Sequence, residues 1–204
     1  MRAVIEKILT NEPGSEKDPF VASQRYTLAL YDRDWDAAER AAPVLSQKHS
    51  LQWSFPELGR DFWLGVIARL KGDETSARAA FMRARAQQEE EIRGHPDDAA
   101  LLADLGVIDA GLGRKEEALN EGRRAMELGS SVKDSSTEPN TKTCFAIICA
   151  WTGERDLALG QLEAFAKTPG SHTYGNFRLS PMWDPLRGDP RFEKIVTSLA
   201  PKER

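Results

Sequence analysis

Three histidines, two cysteines and a run of three glutamates are the first places to look for chemistry in this chain. His49, His95 and His172 lie far apart and close to turns, and none has a second ligand at a spacing that would hold a metal. Cys144 and Cys149 fall in one helical stretch, about 140° apart around the axis, so they cannot easily pair with each other. They read as core thiols compatible with a reducing compartment. Glu89-Glu90-Glu91 reads as a solvated helix face. There is no Gly-x-Ser-x-Gly elbow and no glycine-rich loop ending in Gly-Lys-Ser/Thr. The expectation is a chain with no catalytic residues, no metal and no cofactor.

Charge excludes a further class. The 28 Lys and Arg are outnumbered by 32 Asp and Glu, for a net charge of −4, and the two signs are interleaved throughout. Binding to phosphate backbones needs a basic patch, so nucleic acid is not an expected partner. No stretch approaches the ~18 consecutive apolar residues that cross a bilayer, and the N-terminus lacks a signal-peptide core. The expectation is a cytoplasmic, soluble segment, which a longer parent could still tether to a membrane.

The elements come into view through a repeat. Arg33-Asp34-Trp35-Asp36-Ala37-Ala38, Gly72-Asp73-Glu74-Thr75-Ser76-Ala77, Gly113-Arg114-Lys115-Glu116-Glu117-Ala118 and Gly153-Glu154-Arg155-Asp156-Leu157-Ala158 share one pattern. Each is a tight turn, a charged first helical turn and an alanine. The alanines Ala38, Ala77, Ala118 and Ala158 recur at about 40 residues, a period of stacked helix pairs. No segment shows sustained period-two alternation of strand formers, so the chain reads as all-helical.

The pairs are expected at residues 18–48, 56–93, 97–128 and 139–168. Residues 1–13 read as the second helix of a pair whose first helix is missing, which suggests a segment of a longer protein. Asp18-Pro19, Ser180-Pro181 and Asp189-Pro190 are N-caps followed by a proline in the first turn. Trp53 and Phe55 are expected to pack down, and 129–140 reads as a loop. Residues 171–204 read as a capping segment whose Trp183, Leu186, Phe192, Ile195 and Val196 cover the last apolar face. The whole is expected to form one domain, an α-α superhelix of stacked antiparallel pairs with a C-terminal capping helix.

Leu64-Gly65, Ala68, Gly72-Asp73, Ala77, Phe81 and Ala84 resemble the tetratricopeptide repeat pattern. Leu105-Gly106, Gly113, Ala118 and Ala125 repeat it. Phe145-Ala146, Gly153, Ala158, Leu162 and Phe165 repeat it more loosely. The first pair departs most, with Tyr26 where a small residue is expected. The stretch from Tyr174 to Phe192, with Ala150-Trp151-Thr152-Gly153-Glu154 and Ser131-Val132-Lys133-Asp134, resembles the ending of tetratricopeptide regions attached to bacterial serine/threonine kinases, cyclases and winged-helix regulators.

This resemblance implies a non-catalytic module that binds a protein or peptide segment, at the C-terminal end of a larger bacterial signalling protein. Carried over residue by residue, it brings Tyr31, Phe62, Val66, Arg69, Asp104, Val107, Ile147 and Trp151 toward the concave face, with Trp63 at its border. Core packing is the alternative role for Trp63 and Trp151. The carboxylate clamp of the family's chaperone-binding members is absent, since Ser23, Thr27, Phe62, Val66, Ala103 and Val107 occupy the corresponding positions. The competing expectation is self-association, or docking on an attached kinase, cyclase or transcription-factor domain. The oligomeric state stays open.

Overall fold

A computed structural model describes residues 2–44, 58–131, 137–168 and 173–201. Trp53 and Phe55, expected to pack down, lie outside these residues. The described residues contain helices and no β-strand. Those up to Ala84 form one compact unit and those from Arg85 onward a second.

The first unit holds α1 (Arg2–Asn11), α2 (Pro19–Asp32), α3 (Trp35–Ala41), α4 (Arg60–Leu70) and the start of α5 (Glu74–Gly94). Asp18 caps α2 by accepting from the Phe20 and Val21 amides, with Pro19 in the first turn as its fixed φ favours. Asp34 caps α3 by accepting from the Ala37 amide. The helix α3 is short and passes at Ala42 into a 3-10 turn containing Pro43, which has no N–H to continue the ladder.

Four rings form the core of this unit. The Tyr26 and Trp63 centroids are 5.8 Å apart, Phe62 and Trp63 5.0 Å, and Phe62 and Phe81 5.6 Å. Offset and edge-to-face pairs of this kind contribute about 0.5–1.5 kcal/mol each beyond burial. Both polar tips are satisfied: Tyr26 Oη donates to the Trp63 carbonyl at 3.2 Å, and Trp63 Nε1 donates to the Leu58 carbonyl at 3.0 Å.

The second unit continues α5 and adds α6 (Ala99–Gly111), α7 (Lys115–Ser131), α8 (Thr137–Trp151), α9 (Arg155–Lys167), α10 (Tyr174–Leu179) and α11 (Pro190–Ser198). A 3-10 turn spans Pro181–Leu186. Here α6, α7 and α8 pack mutually, and α9 lies on α8. Helix reaches into the stretch expected to be a loop: α7 runs to Ser131 and α8 begins at Thr137. Pro139 is tolerated there because it sits in the first turn, where backbone N–H groups have no helical partner.

All four turns have the same geometry. Arg33, Gly72, Gly113 and Gly153 are left-handed, with φ of 61°, 81°, 76° and 83°. The next amide in each case donates to the carbonyl five residues back: Asp34 to Ala29, Asp73 to Ala68, Arg114 to Asp109 and Glu154 to Cys149, at 2.8–2.9 Å. This bond closes the first helix and aims the chain back along it. The repeat alanines then begin the returning helix, and Ala38, Ala77, Ala118 and Ala158 are all buried. Arg33 adopts a conformation that costs a side-chain-bearing residue about 1–2 kcal/mol. Its guanidinium lies 5.7 Å from the Trp35 ring centroid, an attraction that offsets part of that cost.

Aligning the turns also explains Tyr26. Seven residues before each turn stand Tyr26, Gly65, Gly106 and Ala146; nine residues after stand Ala42, Phe81, Gly122 and Leu162. Size is exchanged between the two positions. A Cβ on Gly65 would come within 2.8 Å of the Phe81 ring. In the first pair the large residue is on α2 and the small one, Ala42, on the returning segment, and both are fully buried. In the third pair both are glycine, and the room is filled from α8: a Cβ on Gly106 would meet Ile148 Cδ1 at 2.8 Å, and one on Gly122 would meet Phe145 Cδ2 at 2.8 Å.

These contacts rank two substitutions. Gly65→Ala meets side-chain atoms only, those of the Phe81 ring, whereas Gly106→Ala also meets backbone, the Ala118 carbonyl oxygen at 3.1 Å and the Gly122 nitrogen at 3.3 Å. Both are expected to destabilise by about 1–3 kcal/mol, with Gly106→Ala the more costly. Urea unfolding of the two variants measures the order.

Candidate functional site

The residues that the sequence marks for partner binding divide between the two units. Tyr31, Phe62, Trp63, Val66 and Arg69 belong to the first, and Asp104, Val107, Ile147 and Trp151 to the second. Most are interior. Phe62, Trp63, Val66, Val107 and Ile147 are each at most 2 % exposed, and Asp104 is buried on α6. The reason is positional. Thr27, Val66, Val107 and Ile147 stand six residues before their turns, on a helix face that every repeat buries. Of the two aromatics with open roles, Trp63 spends its indole N–H inside the first unit.

Tyr31, Arg69 and Trp151 are half-buried and reach the surface. Tyr31 and Trp151 are equivalent, each the second residue before its turn. Burial pushes the Tyr31 hydroxyl up to about 12, so it remains a neutral donor across the physiological range. Arg69 lies with its guanidinium carbon 5.1 Å from the Phe81 ring centroid. Burial holds Arg69 below its usual value, and the charge of Glu74 works against that. An arginine stacked on an aromatic ring and a tyrosine at the surface are groups that partner-binding sites favour.

The first unit also has a cleft of about 210 Å³ lined by Glu39, Leu64, Ile67, Ala68, Lys71, Asp73, Ser76, Ala80 and Arg83. Its charges are already matched. Lys71 donates to Asp36 at 3.0 Å and Glu39 at 2.8 Å, and Arg83 donates to Asp61 at 3.0 Å. The bonds to Glu39 and Asp36 raise the Lys71 ammonium above its usual value, keeping it charged. The cleft is suited to polar contact with a chain and has no activated nucleophile.

In the second unit Trp151 is engaged by the C-terminal segment. Its Nε1 donates to the Met182 carbonyl at 3.0 Å. Around that bond, Pro181–Leu186 packs on α8 and α11 packs on α9. Met182, Trp183, Leu186, Phe192, Ile195 and Val196 are buried there, and the Phe177 and Trp183 rings meet edge to face at 5.7 Å. The caps are those expected: Ser180 accepts from the Met182 amide and Asp189 from the Arg191 amide. The helix α10 is an additional element, capped by Thr173. Thr173 lacks a following proline, so its cap is a weaker sequence signal than Ser180-Pro181 or Asp189-Pro190.

Among the described residues no group of three or more His, Cys, Asp or Glu could hold a metal, and no helix is long and apolar enough to cross a membrane. The two cysteines are buried, and burial raises both thiols, leaving them poor nucleophiles.

Residues 61–130 match the family Tetratricopeptide repeat. The match takes in α4 to α7 and two of the four turns, those at Gly72 and Gly113. Comparison with curated proteins and with solved structures gave no match. The chain is an all-α, tetratricopeptide-like helical repeat.

The tie between Trp151 and Met182 yields a direct expectation. Trp151→Phe keeps an aromatic side chain but removes the indole donor and part of its bulk, which should cost about 1–3 kcal/mol. Hydrogen exchange should report faster amide exchange in residues 181–198, with α4 unaffected.

Proposed function

We propose that this chain is a non-catalytic protein–protein interaction module whose partner is a protein or peptide segment, and that it is the C-terminal binding or regulatory part of a larger bacterial signalling protein working in the cytoplasm. The observation that carries the reading is the tetratricopeptide match over residues 61–130, because repeats of that family generally mediate protein–protein interaction. The finer assignment to signalling rests on the resemblance of the stretch from Tyr174 to Phe192 to the ends of such regions. Within each unit the surface-reaching residues are the contacts: Tyr31 and Arg69 in the first, Trp151 in the second. Phe62, Trp63, Val66, Asp104, Val107 and Ile147 are buried and leave these three as the surface-reaching candidates. The acidic balance and interleaved charges argue for a polypeptide rather than a nucleic acid.

A second reading is favoured by a different observation. Val4 on α1 is 61 % exposed and Phe20 at the start of α2 is 67 % exposed. Apolar groups this open suit self-association or docking on a covalently attached domain.

A peptide array followed by fluorescence anisotropy on its best binder tests the first reading. Arg69→Ala in the first unit and Trp151→Phe in the second, made separately, test each unit's surface: at least one should weaken binding by about tenfold or more while helical content is preserved. Unchanged affinity in both would remove these residues from the contact surface. If the array yields no binder, sedimentation velocity decides the second reading: a mass that rises with concentration in wild type and not in Phe20→Ser supports self-association.

A further inference from the structure

Two carboxyl groups meet in the second unit, one on a fully buried residue and one on a half-buried residue whose Oε2 is buried, and neither the fold nor the binding reading uses them. Asp109 of α6 is fully buried. Its Oδ1 accepts from Arg85 Nε of α5 at 2.8 Å, and Arg114 Nη1 stands 3.7 Å from the same oxygen. Its Oδ2 is buried with no protein donor, and Glu121 Oε2 of α7 is in the same condition. The two side chains are within hydrogen-bonding reach of each other. As two carboxylates they would repel and leave both oxygens unsatisfied. One proton between them turns both oxygens into partners.

We propose that Asp109 and Glu121 share a single proton in the folded chain, making the packing of α6 on α7 a proton-operated latch that weakens progressively as pH rises from the acid range through neutrality.

The surrounding charges are consistent with this. On α5, Arg85 also reaches Glu89, so its charge is divided between two carboxylates. On α7, Glu117 lies one turn before Glu121 and adds negative charge. On α8, packed against both α6 and α7, Glu138 and Lys142 pair with each other at 2.6 Å. Cys144 and Cys149 of α8 are held neutral by burial. Burial first, and then the Asp109 charge, push the Glu121 carboxyl up to about 8, against the downward pull of Arg85.

The direction of the effect follows by linkage. The folded chain retains a proton that the unfolded chain releases above the ordinary value of 4.5. The stabilisation is fully present below 4.5 and is lost as pH rises through about 8. The proton then passes to water, and the two carboxylates face each other uncompensated.

Urea unfolding of the full chain between pH 5 and 9 tests this, comparing wild type with Glu121→Gln, whose amide donates to Asp109 at every pH. The wild-type unfolding constant should rise by roughly tenfold or more over this window relative to that of the variant. Parallel curves would overturn the proposal. Should Glu121→Gln fail to fold, ¹³C titration of the wild-type glutamate carboxyls decides. One resonance titrating above pH 7 supports the shared proton, and titration of every glutamate in the ordinary range overturns it.

Discussion

Close approach of paired helices is the constraint on which the rest of this structure depends. A helix can return along its predecessor only if the turn is tight and the facing side chains leave room. The turn is met by a left-handed residue and a bond from the next amide to the carbonyl five residues back, found at all four sites. The room is met by trading size across the interface. Gly65 faces the Phe81 ring, and Gly106 and Gly122 admit Ile148 and Phe145 from α8. Tyr26 with Ala42 reverses the arrangement of Gly65 with Phe81. The departure from the family pattern at Tyr26 is a compensated change rather than a defect.

The same constraint decides what is left for a partner. Packing uses the positions of Val66, Val107 and Ile147, and the aromatic bulk of Phe62 and Trp63, before any ligand can. Side chains at the ends of the first helices escape this demand, which is why Tyr31 and Trp151, at equivalent positions, reach the surface. Even there Trp151 is partly committed, since its indole N–H is bonded to the C-terminal segment. In the first unit Arg69 and Tyr31 combine apolar bulk with donors, and a separate cleft there is lined by paired charges.

The sequence made the helical architecture legible through local signals. Asp18, Ser180 and Asp189 are caps in the structure because a short polar side chain followed by proline suits few other places. The repeat alanines are buried because the returning helix must approach closely. What escaped the sequence was set by partners distant along the chain. The relation of Tyr26 to Ala42 emerges only when the four turns are superimposed. Trp63 and Trp151 have the composition of contact residues, and only the structure separates the fully buried one from the half-exposed one. Asp109 and Glu121 look like two more surface charges in a chain where 29 % of residues are charged. Their burial follows from the helix faces they occupy, which no short motif announces.

The close-approach account is tested most directly by a double-mutant cycle on Gly106 and Ile148. The atom nearest a new Cβ at Gly106 is Ile148 Cδ1, and Ile148→Val removes that methyl. If helix spacing is set by this contact, Gly106→Ala with Ile148→Val will be less destabilised than the sum of the single changes, by about 0.5 kcal/mol or more. Strict additivity would contradict the account, because it would mean that α8 does not press on α6 at this point.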